Sequence, residues 1–155
     1  MEGSIDAISQ NIMTGYMAQV ESAMKISGIL SEHNSDSNDF TGDDIICGLV
    51  YRLMIPMTDD EMKDSWDKAT EIMDPDPSSS SDDEDTDGAE YDEIEESYEK
   101  PILQRKIKTN NCNCDICSKV RVCLINFSEY EPKDQLAQRF KDSITETCGI
   151  HKIYI

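Results

Sequence analysis

Few of the residues on which enzyme sites and nucleic-acid surfaces depend are present in this sequence. The 155 residues include two histidines and one tryptophan, and 14 lysines and arginines stand against 33 aspartates and glutamates, so the formal net charge is −19. The sequence contains neither a Gly-rich phosphate-binding loop nor a Ser/His/Asp pattern. We therefore predict a non-enzymatic protein. A catalytic alternative, in which His151 and Cys117 form a nucleophilic pair, stays open.

Long apolar runs are also missing. No stretch approaches the ~18 consecutive apolar residues that indicate a membrane span, so we predict no membrane partner. The first residues of the chain lack the basic and apolar segments of a secretory signal peptide. We expect an intracellular protein, in the cytoplasm or the nucleus, whose six cysteines are reduced and available to a metal rather than paired in disulfides.

Two pairs of metal-ligand residues share one spacing near the end of the sequence. They are Cys114-x-x-Cys117 and Cys148-x-x-His151. Zinc binds four cysteine or histidine ligands in a tetrahedron, and a two-residue gap lets a turn direct two side chains at one ion. We predict a structural zinc site of Cys3His type from these four residues, with Cys112 as the substitute for Cys114. Inert thiols and redox chemistry are the alternatives.

Three other candidate ligands are given no metal role. His33 follows the end of a predicted helix, and we interpret it as a solvated side chain that stabilises the helix dipole. Cys47 lies on the apolar face of a predicted helix, and Cys123 lies in the middle of a predicted strand. Both of these thiols are expected in the core.

The C-terminal cysteines lie in a longer pattern. It begins as Cys-x-Cys-x-x-Cys from Cys112, continues as Arg-Val-Cys-Leu-Ile-Asn-Phe from Arg121, and ends as Thr-Cys-Gly-Ile-His-Lys-Ile-Tyr-Ile from Thr147. Over residues 111–155 this pattern resembles small uncharacterised zinc-binding proteins of large cytoplasmic DNA viruses. The resemblance implies a viral protein that acts in the infected cell or is packed in the virion, and it implies no particular activity.

Residues 1–73 have the apolar periodicity of a three-helix segment. Apolar residues recur at steps of three and four over residues 4–33, from Thr41 to the residue before Pro56, and from Thr58 to Met73. Thr41 and Thr58 are followed by acidic residues and are expected to cap the second and third helices. The many methionines are expected to fill the core of this segment, and a Met-lined groove for a partner helix is the alternative.

Residues 101–155 are predicted to form a small zinc-held strand-helix module. Alternating apolar and basic residues predict a strand over 102–108, and a β-rich run predicts a second strand over 120–127. A helix is predicted from Pro132 to Gly149, followed by a short edge strand over 153–155. So short a segment cannot bury a self-sufficient core, so we expect the metal to stabilise it. The predicted fold class is α+β.

Residues 74–100 join these two parts. They hold 13 acids and one base together with serines and prolines, which is the composition of a disordered linker. Each of three consecutive serines, Ser79, Ser80 and Ser81, has an acid three residues downstream, as the sites of an acid-directed kinase do. We therefore predict an acidic disordered linker that is a target for phosphorylation.

The arrangement as a whole predicts an adaptor. Apolar helix faces, an acidic spacer and a zinc-held module suit a protein that binds protein partners. In the alternative, a nucleic-acid-binding or transcription-associated protein uses the basic residues around the zinc module, and the acidic tract is its autoinhibitor. Those basic residues are Arg105, Lys106, Lys108, Lys119, Arg121, Arg139 and Lys141.

Overall fold

Three helices form the first part of the molecule. The structure, a computed structural model, describes residues 2–34, 39–73 and 103–155. Helix α1 spans Glu2–Glu32, α2 spans Gly42–Met54 and α3 spans Asp59–Met73, so the predicted three-helix segment is confirmed. The predicted linker 74–100 and its candidate phosphorylation sites Ser79, Ser80 and Ser81 lie outside the described residues.

The predicted caps of α2 and α3 are present. Thr41 Oγ1 accepts the Asp44 backbone N–H at 3.3 Å, and Asp44 Oδ2 accepts the Thr41 N–H at 3.0 Å. Thr58 and Glu61 exchange the same pair of hydrogen bonds at the start of α3. These capping boxes satisfy backbone donors that have no partner inside the helix, and they fix where each helix begins.

Helices α1 and α2 cross where both carry small residues. Gly48 of α2 faces Ala23 and Ser27 of α1, and Ser27 Oγ donates a hydrogen bond to the Ala23 carbonyl oxygen at 3.0 Å. A Cβ atom added to Gly48 would lie 2.0 Å from Ser27 Oγ and 2.5 Å from the Ala23 carbonyl oxygen. The two backbones therefore approach each other more closely than any side chain at position 48 would permit.

The second part of the molecule contains two helices and a pair of short strands. Strand β1 is Arg105–Lys106, α4 is Asp115–Asn126, α5 is Gln135–Ile150 and β2 is Ile153–Tyr154. The strands are parallel, with Arg105 opposite Ile153. The predicted strands at 102–108 and 153–155 are confirmed in the described residues. The predicted helix is also confirmed, although it begins at Gln135, with Asp134 as its N-cap, rather than at Pro132.

The predicted strand over residues 120–127 is wrong, because this run belongs to α4 and the 3-10 turn that follows it, Phe127–Glu129. Val120, Cys123, Leu124 and Phe127 are buried, at the steps of three and four that one helical face requires. Ile125 is 78% exposed. The β-branched residues that suggested a strand are thus divided between a buried and a solvated helix face.

One hydrophobic cluster joins the two parts of the chain. It contains Leu30 of α1, Val50 of α2, Val120 of α4 and Ile144 of α5, together with other buried residues of these helices. The helices of these two parts therefore pack against each other, which places the end of α1 beside the start of α4. None of the helices in the described part of the chain combines the length and the apolarity that crossing a membrane requires.

Candidate metal centre

Three cysteine thiols and one imidazole converge at the end of α1. His33 Nδ1 lies 3.5 Å from Cys112 Sγ, 3.3 Å from Cys114 Sγ and 3.4 Å from Cys117 Sγ. All four atoms lie within 4.8 Å of one another, and no other group of three or more Cys, His, Asp or Glu side chains in the described ranges does so. These four residues, here called the Cys3His cluster, form a candidate metal centre.

The ends of two helices direct these side chains to the same point. The His33 backbone N–H donates to the Ile29 carbonyl oxygen at 3.0 Å, so His33 continues the hydrogen bonding of α1 for one residue past its end. Cys114 is the N-cap of α4, and its sulfur accepts the Cys117 N–H at 3.4 Å. The Cys-x-x-Cys spacing thus places one sulfur at the cap and the next on the first turn of the helix.

Amide donors surround the sulfur atoms. The Cys114 N–H donates to Cys112 Sγ at 3.4 Å, and the Asn110 side-chain amide donates to Cys117 Sγ at 3.3 Å. Asn110 also donates to the Leu30 carbonyl oxygen at 3.0 Å and accepts the Cys112 N–H at 3.2 Å. One side chain therefore ties the cysteine loop to the last turn of α1 and orients two of the thiols, as the outer partners of metal ligands do.

The protein shifts the pKa values of two cluster thiols in opposite directions. The Cys117 backbone N–H, donating to the sulfur of Cys114, lowers the pKa of Cys114 to about 6. Burial raises the pKa of Cys117 to about 11, since only 1% of this residue is exposed. The thiolate is the form that binds a metal, and a cation in the cluster would favour that form of both residues.

The structure brings together part of the ligand set expected from the sequence. Cys114 and Cys117 are in the cluster, and Cys112 is present beside Cys114 rather than in its place. Cys148 and His151 lie outside it. Cys148 is buried on α5, where burial raises its pKa. His151 follows the end of α5 and lines a separate cavity.

His33 is the member of the cluster that the sequence argument missed, because the interpretation as a solvated side chain considered only its own helix. Its Nδ1 atom instead faces three sulfurs that follow about 80 residues later in the chain. One feature of the sequence could have indicated a histidine ligand for the Cys-x-Cys-x-x-Cys run. A Cys-x-Cys-x-x-Cys run already supplies three ligands, which leaves one position to be filled by either of the two histidines.

Four of the seven basic residues expected to contact nucleic acid have partners within the protein. Arg105 forms two hydrogen bonds of 2.8 Å with Asp43, and Lys119 forms an ion pair of 3.1 Å with Asp115. Arg121 donates to the Asn110 carbonyl oxygen, and Lys141 donates to the carbonyl oxygens of residues 128 and 130. Within the described residues, the side chains of the other three form no hydrogen bond or ion pair: Lys106, Lys108 and Arg139.

All six cysteines of the chain are free thiols, so no disulfide prevents the three cysteines of the cluster from binding a metal. Cys47 and Cys123 are buried in the core, as the sequence predicts. Burial raises the pKa of Cys47 to about 12 and also raises the pKa of Cys123, which keeps both in the thiol form.

In comparisons with known proteins, no protein-family model, no curated protein and no solved structure matches the chain.

Proposed function

We propose that this chain is a non-enzymatic, zinc-stabilised interaction protein. In this proposal a zinc ion in the Cys3His cluster holds the start of α4 to the end of α1. The fold so stabilised presents an apolar helix face to a protein partner. The observation that carries the zinc assignment is the position of the His33 imidazole relative to the three sulfurs.

The separations within the cluster fit a tetrahedral ion. With Zn–S bonds of ~2.3 Å and a Zn–N bond of ~2.0–2.1 Å, tetrahedral geometry places nitrogen and sulfur about 3.5 Å apart. His33 Nδ1 lies 3.3–3.5 Å from all three sulfurs. Three thiolates and one imidazole also have the softness that favours zinc over magnesium or calcium, which prefer oxygen ligands.

Four protein ligands support a structural role for the ion. Catalytic zinc sites have three protein ligands and leave the fourth position to water or substrate, whereas structural sites are closed. A Cys3His set fills all four positions of a tetrahedron. We therefore propose that the metal stabilises the fold and that the protein catalyses no reaction.

Native mass spectrometry and X-ray absorption spectroscopy of the full chain test the zinc assignment. We expect one zinc per chain, a coordination shell of three sulfurs and one nitrogen, and loss of the ion in the presence of a strong chelator. A chain that is purified from zinc-containing medium without zinc, or a shell that contains oxygen from water, would contradict the proposal.

An exposed apolar stripe at the start of α1 supports the interaction role. Ile5, Ile8, Ile12 and Met13 are 65%, 58%, 58% and 51% exposed, and their spacing places them along one side of the helix. Every residue from 3 to 13 is exposed, so this part of α1 extends beyond the packed helices. An amphipathic helix of a partner protein would cover such a stripe through anchors at steps of three and four.

Site-specific photo-crosslinking tests this surface. A photo-reactive residue at position 8 or 12 lies on the stripe, whereas one at the exposed position 9 lies beside it and is the matched control. In cells that make the protein, we expect positions 8 and 12 to form one discrete product with a different protein, and position 9 to form little of it. A product with twice the mass of this chain, or equal products from all three positions, would contradict the assignment of a protein partner.

A further inference from the structure

A cavity of about 920 Å³ lies between α1, α2, α5 and the pair of strands, away from the Cys3His cluster. Its volume is within the range of small-molecule binding sites, which are predominantly apolar with a few polar groups at defined positions. The cavity includes His151, which the sequence suggested as a metal ligand. None of the four residues of the Cys3His cluster lines it.

One end of the cavity is apolar. Tyr16 of α1 and Phe140 of α5 stack there with their ring centroids 4.8 Å apart. Val20 of α1 and Leu49 of α2 also line the cavity, and Ile144 follows Phe140 by one helical turn. A ligand at this end would remove apolar surface from water.

The other end of the cavity is polar. Along α5 the lining residues are Phe140, Ser143 and Ile144, and then Thr147 and His151 towards the end of the helix. Along α2 the order is reversed, because Asp43 lines the cavity near the start of the helix and Leu49 lines it one to two turns later. The two helices therefore define the same apolar and polar ends.

The polar end carries an excess of positive charge. Arg105 and Asp43 form a pair with two hydrogen bonds of 2.8 Å, and Asp43 Oδ2 also accepts the Lys108 backbone N–H at 2.7 Å. Lys108 also lines the cavity; its side chain forms no ion pair within the described residues, and its charge acts on Asp43 at longer range. Two cations and one carboxylate thus lie at this end, although the whole chain has a formal net charge of −19.

We propose that this cavity binds a fatty acid, with the alkyl chain between Tyr16, Phe140 and Leu49 and the carboxylate near Lys108. A monocarboxylate matches Lys108, the cation at the polar end whose side chain forms no ion pair within the described residues. The hydroxyl of Thr147 and the imidazole of His151 lie at the same end and offer further hydrogen-bond donors. The apolar end accepts the alkyl chain by the same burial that stabilises a protein core.

Calorimetric titration of the zinc-loaded full chain with laurate, below its micelle concentration, tests the proposal. We expect one laurate per chain. Dodecyltrimethylammonium, which has an alkyl chain of the same length and the opposite charge, should bind at least about tenfold more weakly, because it would meet the cationic end of the cavity. Equal binding of the two amphiphiles would overturn the proposal.

Methyl NMR locates the bound laurate. The isoleucine methyls of the cavity, at Ile45, Ile46, Ile144 and Ile153, are expected to shift on titration. The methyls of the exposed stripe on α1, at Ile5 and Ile8, are expected to keep their positions. Shifts confined to the stripe would show adsorption on α1 instead and would overturn the assignment to the cavity.

Two matched pairs of variants separate the contributions of the charge and the cavity. Lys108→Gln removes a cation that lines the cavity and should weaken laurate binding about tenfold, whereas Lys106→Gln removes an exposed cation outside the cavity and should change it less than about twofold. Ser143→Phe places a ring in the cavity and should abolish binding, while Thr145→Phe, at an exposed position of α5 outside the cavity, should not. Unchanged binding by both K108Q and S143F would overturn the proposal.

Discussion

His33 Nδ1 lies 3.3 Å from Cys114 Sγ, although 81 positions separate the two residues in the chain. The first residue ends α1 and the second begins α4, so one metal ion would join two elements that are distant in sequence. The shared hydrophobic cluster brings these elements close, and the ion would then hold the end of α1 and the start of α4 together.

Alanine substitution of each histidine distinguishes the Cys3His cluster from the ligand set expected from the sequence, which contains His151 instead of His33. We expect His33→Ala to reduce zinc retention strongly, because it removes the only nitrogen ligand of the cluster. His151→Ala is the matched control, since this side chain is exposed and lies outside the cluster, and it should bind zinc as the unaltered chain does. Metal content after gel filtration measures both.

The same comparison can be made with cysteines. Cys112→Ser is expected to weaken zinc binding, and Cys148→Ser is expected to preserve it, because Cys148 lies in the core on α5. Loss of zinc in Cys148→Ser and His151→Ala, with full retention in Cys112→Ser and His33→Ala, would restore the ligand set expected from spacing alone. Thermal unfolding of each variant separates loss of metal from loss of fold.

Removal of the metal should loosen one part of the molecule more than the others. We expect a chelator to increase amide exchange most at residues 109–118, where the loop holds three cluster ligands and hydrogen-bonds to α1 through Asn110. Helix α3 contributes no residue to the cluster and serves as the internal control. Equal loss of protection in α3 and in the loop would show that the metal acts on the whole fold.

Gly48→Ala should destabilise the crossing of α1 and α2. The new Cβ atom would meet the Ala23 carbonyl oxygen at 2.5 Å, and this backbone atom cannot move without shifting α1. Overpacking of this kind typically costs about 1–3 kcal/mol of the free energy of unfolding, and a backbone contact favours the upper part of that range. Chemical denaturation measures the loss.

Gly28→Ala is the matched control for that variant. Gly28 also lies in a helix, and a Cβ atom added there meets nothing within 4 Å. Alanine has a higher helix propensity than glycine, so this substitution should raise the free energy of unfolding by up to about 1 kcal/mol. Opposite signs for the two substitutions are the expected result, and equal losses would contradict the close crossing.

The ion pair between Asp43 and Arg105 should stabilise the fold at neutral pH. The Arg105 guanidinium, through its hydrogen bonds, lowers the pKa of Asp43 below its ordinary value of 3.8. Because Arg105 is 44% exposed, solvent screens the pair, and a double-mutant cycle with Asp43→Asn and Arg105→Met should give a coupling of about 1 kcal/mol. Lys106→Met, at the exposed neighbouring position, is the control and should show no coupling to Asp43.

The pH dependence of this pair follows from the sign of the shift. A carboxyl whose pKa is lower in the folded state contributes its full stabilisation above its unfolded pKa and loses it as pH falls through the folded value. The stability difference between the unaltered chain and Asp43→Asn should therefore stay constant from about pH 5 to 8 and decrease only below about pH 4. A decrease between pH 8 and 6 would show that another group controls it.

The helices of residues 1–73 could be predicted because their determinants are local. Thr41 and Thr58 form capping boxes with acids three residues later, and the apolar residues between the caps recur with the helical period. The run over residues 120–127 was mispredicted because β-branched residues also fit a strand. Packing of Val120 and Leu124 against the core outweighs that preference.

The candidate metal site was only partly predictable for a related reason. Cys114 and Cys117 could be assigned because their spacing alone places both sulfurs near the N-terminus of one helix. The choice between His33 and His151 depends instead on which helix ends meet in the folded protein. That choice is made by packing between α1, α2 and α4, and no local pattern around either histidine reports it.

The Cys3His cluster has a consequence for how the chain length can vary. A metal bond between His33 and Cys112 closes a loop over a sequence separation of 79 positions, and the entropic cost of closing a flexible loop grows only with the logarithm of its length. Removing about 20 residues between α3 and β1 would change that cost by only a few tenths of a kcal/mol. In terms of loop-closure entropy alone, the length of the acidic segment between these elements therefore has little effect on the stability of the metal-held fold.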